Sequence, residues 1–448
     1  MSSSPATSRN LGYWQTLNVA LLIIGYSGYY LCRSNLSVTL PLLIRELAGR
    51  GVSMGSAQVM LGSIASLGVL AYALGKFPSG TLADLFGGRR NFLFGMGGSV
   101  AFTLLFAASG TLPLFTLAWM GNRLVQSLGW AGAVKITSRW FPFQRYGTVM
   151  AFISLSFLFG DAVARQFMGV LISKGLGWRG LFLTTAIVLA SLLVVCALLL
   201  RESPSEIGQP EPSANPANLF REATGPGQVR GLRQLLRPFF ASNVFWLACA
   251  LSLGATILRE TFNLWTPTYF TQAVGMSAAR AAGASALFPF LGGISVILCG
   301  WLSDRLGRGG RAALMLGGFL LTALVLTVLG SRIVQSSRTW PVILVATIAF
   351  LTLGPYSFLA GAMSLDFGGK HGSGTASGLI DGAGYLGGVL AGDSMARISV
   401  NYGWNAAFLT LAAISLFSCV AAAWLLREER KTYPLEQVAV SPETLGPS

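Results

Sequence analysis

Twelve stretches of this chain are each long and apolar enough to cross a bilayer, and that property leaves few ways to fold. A helical span needs about 20 mostly apolar residues. The stretches run over 14–43, 56–83, 91–110, 113–137, 147–173, 180–200, 241–271, 280–302, 312–331, 340–364, 374–399 and 404–426. Backbone polar groups in hydrocarbon must be satisfied within the chain, so runs of this length predict an all-α membrane protein of 12 transmembrane helices embedded in a lipid bilayer. Charged residues make up 10% of the 448 residues, against about 25% in soluble proteins. The 55 glycines suit helices that pack closely in lipid. The N-terminus, MSSSPATSRN, runs straight into the first apolar stretch and shows no signal-cleavage pattern, so that stretch is read as a retained span.

Basic loop residues set the orientation. With the N-terminus inside, inner loops carry 17 Lys or Arg and outer loops carry 8, so both termini are expected in the cytoplasm. The net charge of +15 is then a topology signal and implies no nucleic acid partner. One long polar stretch, 201–238, is rich in Pro, Ser and Gly and reads as a cytoplasmic linker. Its end, VRGLRQLLRP, has the pattern of a short amphipathic surface helix. The expected organisation is therefore a six-helix half over 1–200, the linker, a second six-helix half over 239–428 and a cytoplasmic tail over 429–448. The five cysteines all fall in apolar segments without metal spacing, and the single histidine, His371, sits in a Gly-rich connection. No nucleophile–base pair, metal cluster or nucleotide loop is present in the sequence, so the reading is a non-enzyme with no metal and no cofactor.

The two halves repeat. GTLADLFGGRR (80–90) echoes GWLSDRLGRGGR (300–311), 220 residues apart, and GWRGLFLTTA (177–186) echoes GWNAAFLTLA (403–412), 226 apart. Arg33 in the first span and Arg259 in the seventh are also 226 apart. Three markers at nearly one offset indicate duplication of a six-span unit, whose substrate site is expected between the halves near the midplane.

An arginine in mid-membrane is costly without a partner and marks a functional site by default. In GYSGYYLCRSN (25–35), Tyr26, Tyr30 and Arg33, with Ser37, fall within about 60° of one another on a helix and form a polar stripe that should face a cavity. Arg259 takes the matching place in the other half, with Asn263 one turn on. Two facing arginines repel when the cavity is empty, and a multivalent anion removes that penalty; phosphate fits the guanidinium fork best. The competing reading pairs each arginine with a buried acid, and Glu260, Asp161 and Asp381 are available. Lys76 lies eight residues, about 12 Å along its helix, before Asp84 and should reach the inner cavity or snorkel to the interface. Lys135 is read as a cavity or an interface residue, Tyr29 as a phosphate donor or a packing residue, and Arg123 is left unassigned. Arg165, four residues after Asp161, reads as an intrahelical ion pair.

The doubled G-x-L-x-D loop, the six-plus-six spans and the central linker together resemble the major facilitator superfamily. Within it, GYxxYYLxRxN, K-F-x-x-G-x-x-x-D, R-x-x-Q-x-x-G-W-x-x-x-x-K, L-R-x-x-x-x-x-W-x-P-T-Y and GYLGG (384–388) resemble the organophosphate:phosphate antiporters, which include glycerol-3-phosphate and hexose-phosphate transporters. The resemblance implies that Arg33 and Arg259 clamp a phosphoryl group with Tyr30 and Lys76 close by, and that Trp130, Lys135 and Tyr385 line the same site. It also implies a monomer in the cell inner membrane that exchanges an organic phosphate for inorganic phosphate. Asp84, Arg90, Asp304 and Arg308 are expected to gate the inner face. The chain departs from the family in having Ser34 where a lysine is usual, Leu264 and Pro289 where acids are usual, and Ser156 where glycerol-3-phosphate transporters place a histidine. Two other functions stay open at this stage: a proton-coupled transporter of another organic anion, such as a carboxylate or phosphonate, using Asp161 or Asp381, and a transporter-like sugar-phosphate sensor.

Overall fold

The computed structural model describes residues 5–212, 232–306, 309–331 and 339–431. The described residues are helical, with short turns between. The first half consists of α1 (Pro5–Gly49), α2 (Met54–Phe86), α3 (Gly88–Ala108), α4 (Leu112–Trp140), α5 (Phe143–Ser173) and α6 (Trp178–Leu199). A short helix, α7 (Leu232–Phe240), leads into the second half. That half contains α8 (Asn243–Gln272), α9 (Ala278–Ser285), α10 (Leu287–Leu306), α11 (Gly310–Leu329), α12 (Trp340–Ala360), α13 (Ala362–Gly388) and α14 (Asp393–Lys431). The chain is a multi-pass membrane protein. Among the described residues, nine segments have the length and composition of membrane spans, and the longest, Thr375–Glu429, holds two crossings. These two meet at Gly403, whose φ of 83° breaks the helix within α14 and is a conformation that suits glycine. The first and fourth spans of the sequence reading are α1 and α4, which spend part of their length on buried Ser34 and Asn35, and on Asn122, Arg123 and Gln126.

Two crossings are broken where the sequence predicts continuous spans. The eighth divides at Ala286 between α9 and α10, and the eleventh divides at Val389–Gly392 between α13 and α14. The freed backbone groups find partners, as burial demands. Ser66 Oγ donates to the Val389 carbonyl and accepts from the Asp393 amide at 2.8 Å, and Trp265 Nε1 donates to the Ala391 carbonyl at 2.7 Å.

Within the first half, α2 packs on α4, α3 on α4 and α6, and α1 on α5 and α6; within the second, α8 packs on α13 and α14, α10 on α12, and α11 on α14. The halves meet where α2 lies along α13 and α14, α5 along α9 and α10, and α1 along α8. At the end of the bundle opposite the termini, a series of cross-half hydrogen bonds seals the junction. Ser37 Oγ donates to the Asn263 carbonyl (2.6 Å), Gln58 Nε2 to Ser399 Oγ (3.0 Å), Gln272 Nε2 to Gln58 Oε1 (2.8 Å) and Ser63 Oγ to Asp393 Oδ1 (2.6 Å).

Candidate functional site: a cation cluster between the halves

Four helices bring basic side chains to the centre of the bundle: α1 carries Arg33, α2 Lys76, α4 Arg123 and α8 Arg259. The GYLGG stretch positions the group on which two of them converge. A Cβ on Gly384 would lie 2.3 Å from Ser252 Oγ, and one on Gly387 would lie 2.8 Å from the Leu253 carbonyl, so only glycine lets α13 sit this close to α8. That approach puts the Tyr385 hydroxyl between the two arginines: Arg33 Nη2 donates to it at 2.9 Å, and Arg259 Nη2 donates to it as well.

The arginines are not bare. The expected mutual repulsion across an empty cavity is offset because Glu260 sits among them. Arg259 Nη2 donates to Glu260 Oε1 at 2.7 Å, Arg33 Nη2 lies 4.0 Å from the same oxygen, and Arg123 Nη2 lies 3.7 Å from Oε2. Lys76 is buried rather than snorkelling, and its Nζ pairs with Asp381 Oδ2 of α13 at 3.1 Å. Asp161 pairs with Arg165 within α5 (3.0 Å) and accepts from Ser34, and Arg165 Nη2 donates to the Asn263 carbonyl at 2.8 Å. The four central cations face two carboxylates, Glu260 and Asp381, which leaves two formal positive charges uncompensated. The Nε–H groups of Arg123 and Arg259 are buried and have no hydrogen-bond partner. Buried donors of this kind are costly unless something else accepts from them.

Two cavities flank the cluster. One extends toward the sealed end and is lined by Arg33, Arg123, Asp161, Glu260 and Asn263 among others. The other extends toward the termini and is lined by Tyr26, Tyr72, Lys76, Trp130, Phe157, Arg259, Tyr356, Asp381 and Tyr385. Tyr30 lines both. The second cavity has an aromatic wall, with the Tyr26 and Trp130 rings 5.3 Å apart. An anionic group can bind at the arginines with an attached polar body against these rings.

The structure therefore gathers Arg33, Arg259, Lys76, Tyr26, Tyr30, Trp130, Tyr385, Glu260, Asp381, Asp161 and Asn263 around one central space. Lys135 lines neither cavity; its Cβ lies beside Gly88 at the start of α3. Tyr29 takes the packing role: its hydroxyl donates to the Phe92 carbonyl at 2.5 Å, and it fills the gap left by Gly95 and Gly129. Arg90 is exposed, whereas the side chains of Asp84 and Asp304, and all of Arg308, lie outside the described residues, as does the His371 side chain. Sequence reasoning missed Arg123 as part of the cluster and Tyr72 as its aromatic floor, whose ring centroid lies 4.5 Å from the Arg33 guanidinium and 4.7 Å from that of Arg123. The signal for Tyr72 was its place one turn before Lys76 on the same face.

A bundle of two six-crossing halves with a buried, cation-lined central space defines a secondary-transporter architecture. Residues 22–392 match the Major Facilitator Superfamily. The glycerol-3-phosphate transporter of Bacillus subtilis (strain 168) is 27% identical, with 90% of this chain and 89% of that protein covered. The glucose-6-phosphate exchanger SLC37A1 of Mus musculus is 30% identical, with 79% and 76% covered. The solved D-xylose–proton symporter, at 16% identity, superposes with a TM-score of 0.72 over 92% of this chain and 97% of that one, and shows the shared fold. The chain belongs to the Major Facilitator Superfamily and, within it, to the organophosphate:phosphate antiporter family.

Proposed function

We propose that the protein is a secondary active transporter of organic phosphates, of sugar phosphate or glycerol-3-phosphate type. It exchanges them for inorganic phosphate by alternating access across the cell inner membrane, as a monomer with both termini in the cytoplasm. One observation carries the reading: Arg33 and Arg259, from opposite halves, converge on a single oxygen, the Tyr385 hydroxyl. A phosphoryl oxygen arriving there takes the place of that hydroxyl and meets guanidinium donors from both sides. The two uncompensated positive charges match a phosphoryl dianion, and the unpartnered Nε–H groups supply further donors. The organic group then lies against Tyr26, Trp130 and Phe157 in the cavity toward the termini. In this orientation the sealed end faces outside, so the structure corresponds to a state closed to the exterior. The inner-face charges Asp84, Arg90, Asp304 and Arg308 are assigned to closing the opposite end.

Asp161 and Asp381 are each held by a cation in this arrangement, which favours phosphate exchange over a proton-carrying role for either. Counterflow in proteoliposomes tests the proposal. Vesicles loaded with phosphate should take up labelled phosphate, and Arg33→Lys and Arg259→Lys should each abolish uptake because a lysine cannot reproduce the planar fork. Competition by a panel of sugar phosphates and glycerol-3-phosphate then identifies the organic group. Well-folded wild type that binds phosphate but does not exchange it would indicate a sensor; uptake driven only by a pH gradient would indicate proton coupling.

A further inference from the structure

Arg165 makes more bonds than a pair within its own helix requires. Its Nε donates to Asp161 Oδ1 at 3.0 Å, as the i,i+4 spacing allows. Its other two nitrogens reach into the second half. Nη2 donates to the Asn263 carbonyl of α8 at 2.8 Å, and Nη1 donates to Ser285 Oγ, at the end of α9, at 3.3 Å. Arg165 is buried, so these bonds form away from water. A carbonyl inside a helix ordinarily accepts from the amide four residues on. For Asn263 that residue is Pro267, which lies inside α8 and has no N–H. Both lone pairs of the Asn263 carbonyl are met from the first half instead, by Ser37 Oγ at 2.6 Å and by Arg165 Nη2. Pro41 of α1 precedes Pro267 by 226 residues, the same repeat offset that separates Arg33 from Arg259. Arg165 has no such echo, because Ala391 holds the matching place. The clasp on α8 is therefore built from one side only.

We propose that Arg165 is the latch of the sealed end: a first-half guanidinium clasped on a second-half carbonyl that Pro267 keeps free, which sets how readily that end opens. The latch draws on the transport reading above only for the opening of this end. When the halves part, Asp161 travels with Arg165 on α5 and keeps its charge compensated, and Ser34 of α1 still donates to that carboxylate. Only neutral acceptors on α8 and α9 are given up, and water can take their places. The bond therefore holds the closed state without trapping it. Pro267 acts in the same device. An alanine there restores the amide and brings a third donor to a carbonyl with two lone pairs, so it loosens the latch while every charge stays in place.

The experiment reads opening of the seal directly and needs no transport. The full chain carries Ser399→Cys, at the seal beside Gln58, and is labelled in detergent with a hydrophilic maleimide. The same chain with Ser399 intact gives the background from the five native cysteines. Pro267→Ala should raise the labelling rate of the position-399 thiol by about fivefold or more, through a larger open population. Arg165→Lys keeps a charge beside Asp161 but lacks the fork that spans both halves, and should raise the rate at least as much. The double variant should label no faster than the faster single variant, because both changes act on one bond. Pro267→Ala labelling at the unsubstituted rate would overturn the latch, and it decides the matter if Arg165→Lys does not fold. Effects that multiply in the double variant would also overturn it, since the two residues would then act apart. Wild type that fails in counterflow while these rates come out as expected would sink the transport reading and leave the latch standing.

Discussion

Tyr385 supplies one hydroxyl to two guanidiniums, and its removal separates binding from folding. Tyr385→Phe keeps the ring against Tyr72, whose centroid is 4.6 Å away, so the fold should hold. Loss of a hydrogen bond to a charged group costs about 1.5–3 kcal/mol. In the empty protein that loss falls on Arg33 and Arg259, and phosphate restores their partner; apparent phosphate affinity should therefore rise about tenfold or more, read by isothermal titration or by counterflow half-saturation. Asp161 differs in kind. Asp161→Asn leaves Arg165 buried without its carboxylate, a loss of about 3–5 kcal/mol, and should appear as a large drop in thermal stability in detergent, with no change in the pH profile of any remaining exchange. The central placement of Arg33 and Arg259, the residues of the proposed clamp, was legible because duplication marks them twice, at one repeat offset. Arg123 has no such echo, since Ala349 stands 226 residues on, and a lone polar residue on a helix gives a face without a depth. Glu260 points about 100° away from Arg259 around the helix, so neighbouring positions suggest different surroundings. Only the length and curl of the arginine side chain brings the two groups to 2.7 Å.

Among the elements, the crossing count followed from apolar length, but the breaks at Ala286 and Val389–Gly392 did not. The reason is that hydropathy is blind to which carbonyl loses its helical partner; the replacement donors, Ser66 and Trp265, come from other helices. The glycines of α13 had a motif but no stated purpose until α8 was seen against them. Gly387→Leu should force α13 off α8, destabilise the fold by about 1–3 kcal/mol through overpacking and abolish exchange by pulling the α13 wall, with Asp381, away from Lys76 and the cavity. Gly317→Ala, where a Cβ meets nothing within 4 Å, should leave both melting temperature and exchange unchanged. If Gly387→Leu transports normally, the close approach of α13 to α8 is not what shapes the cavity wall.

At the scale of the whole molecule, alternating access as proposed would couple the sealed end to the charge cluster. The seal is built of neutral or singly charged polar pairs such as Gln58–Ser399 and Ser63–Asp393, each of which water can replace when the halves part. Joining cysteines placed at 58 and 399 with a short bifunctional reagent should stop exchange, and cleaving the linker should restore it. Retained exchange in fully cross-linked protein would show that this end does not open. The division of charge between the halves also bears on how the chain is made. Arg33, Lys76 and Arg123 are synthesised and inserted before either Glu260 or Asp381 exists, and Glu260 follows Arg33 by 227 residues. At roughly 5–20 residues per second that is a wait of about 10–45 s. During that interval the nascent first half holds three cations whose acids have not yet left the ribosome. Residues 1–200 expressed alone should accordingly be degraded in the membrane, and co-expression with 239–448 should rescue them. Neither half is electrically complete, so assembly of the two is a condition for each to persist.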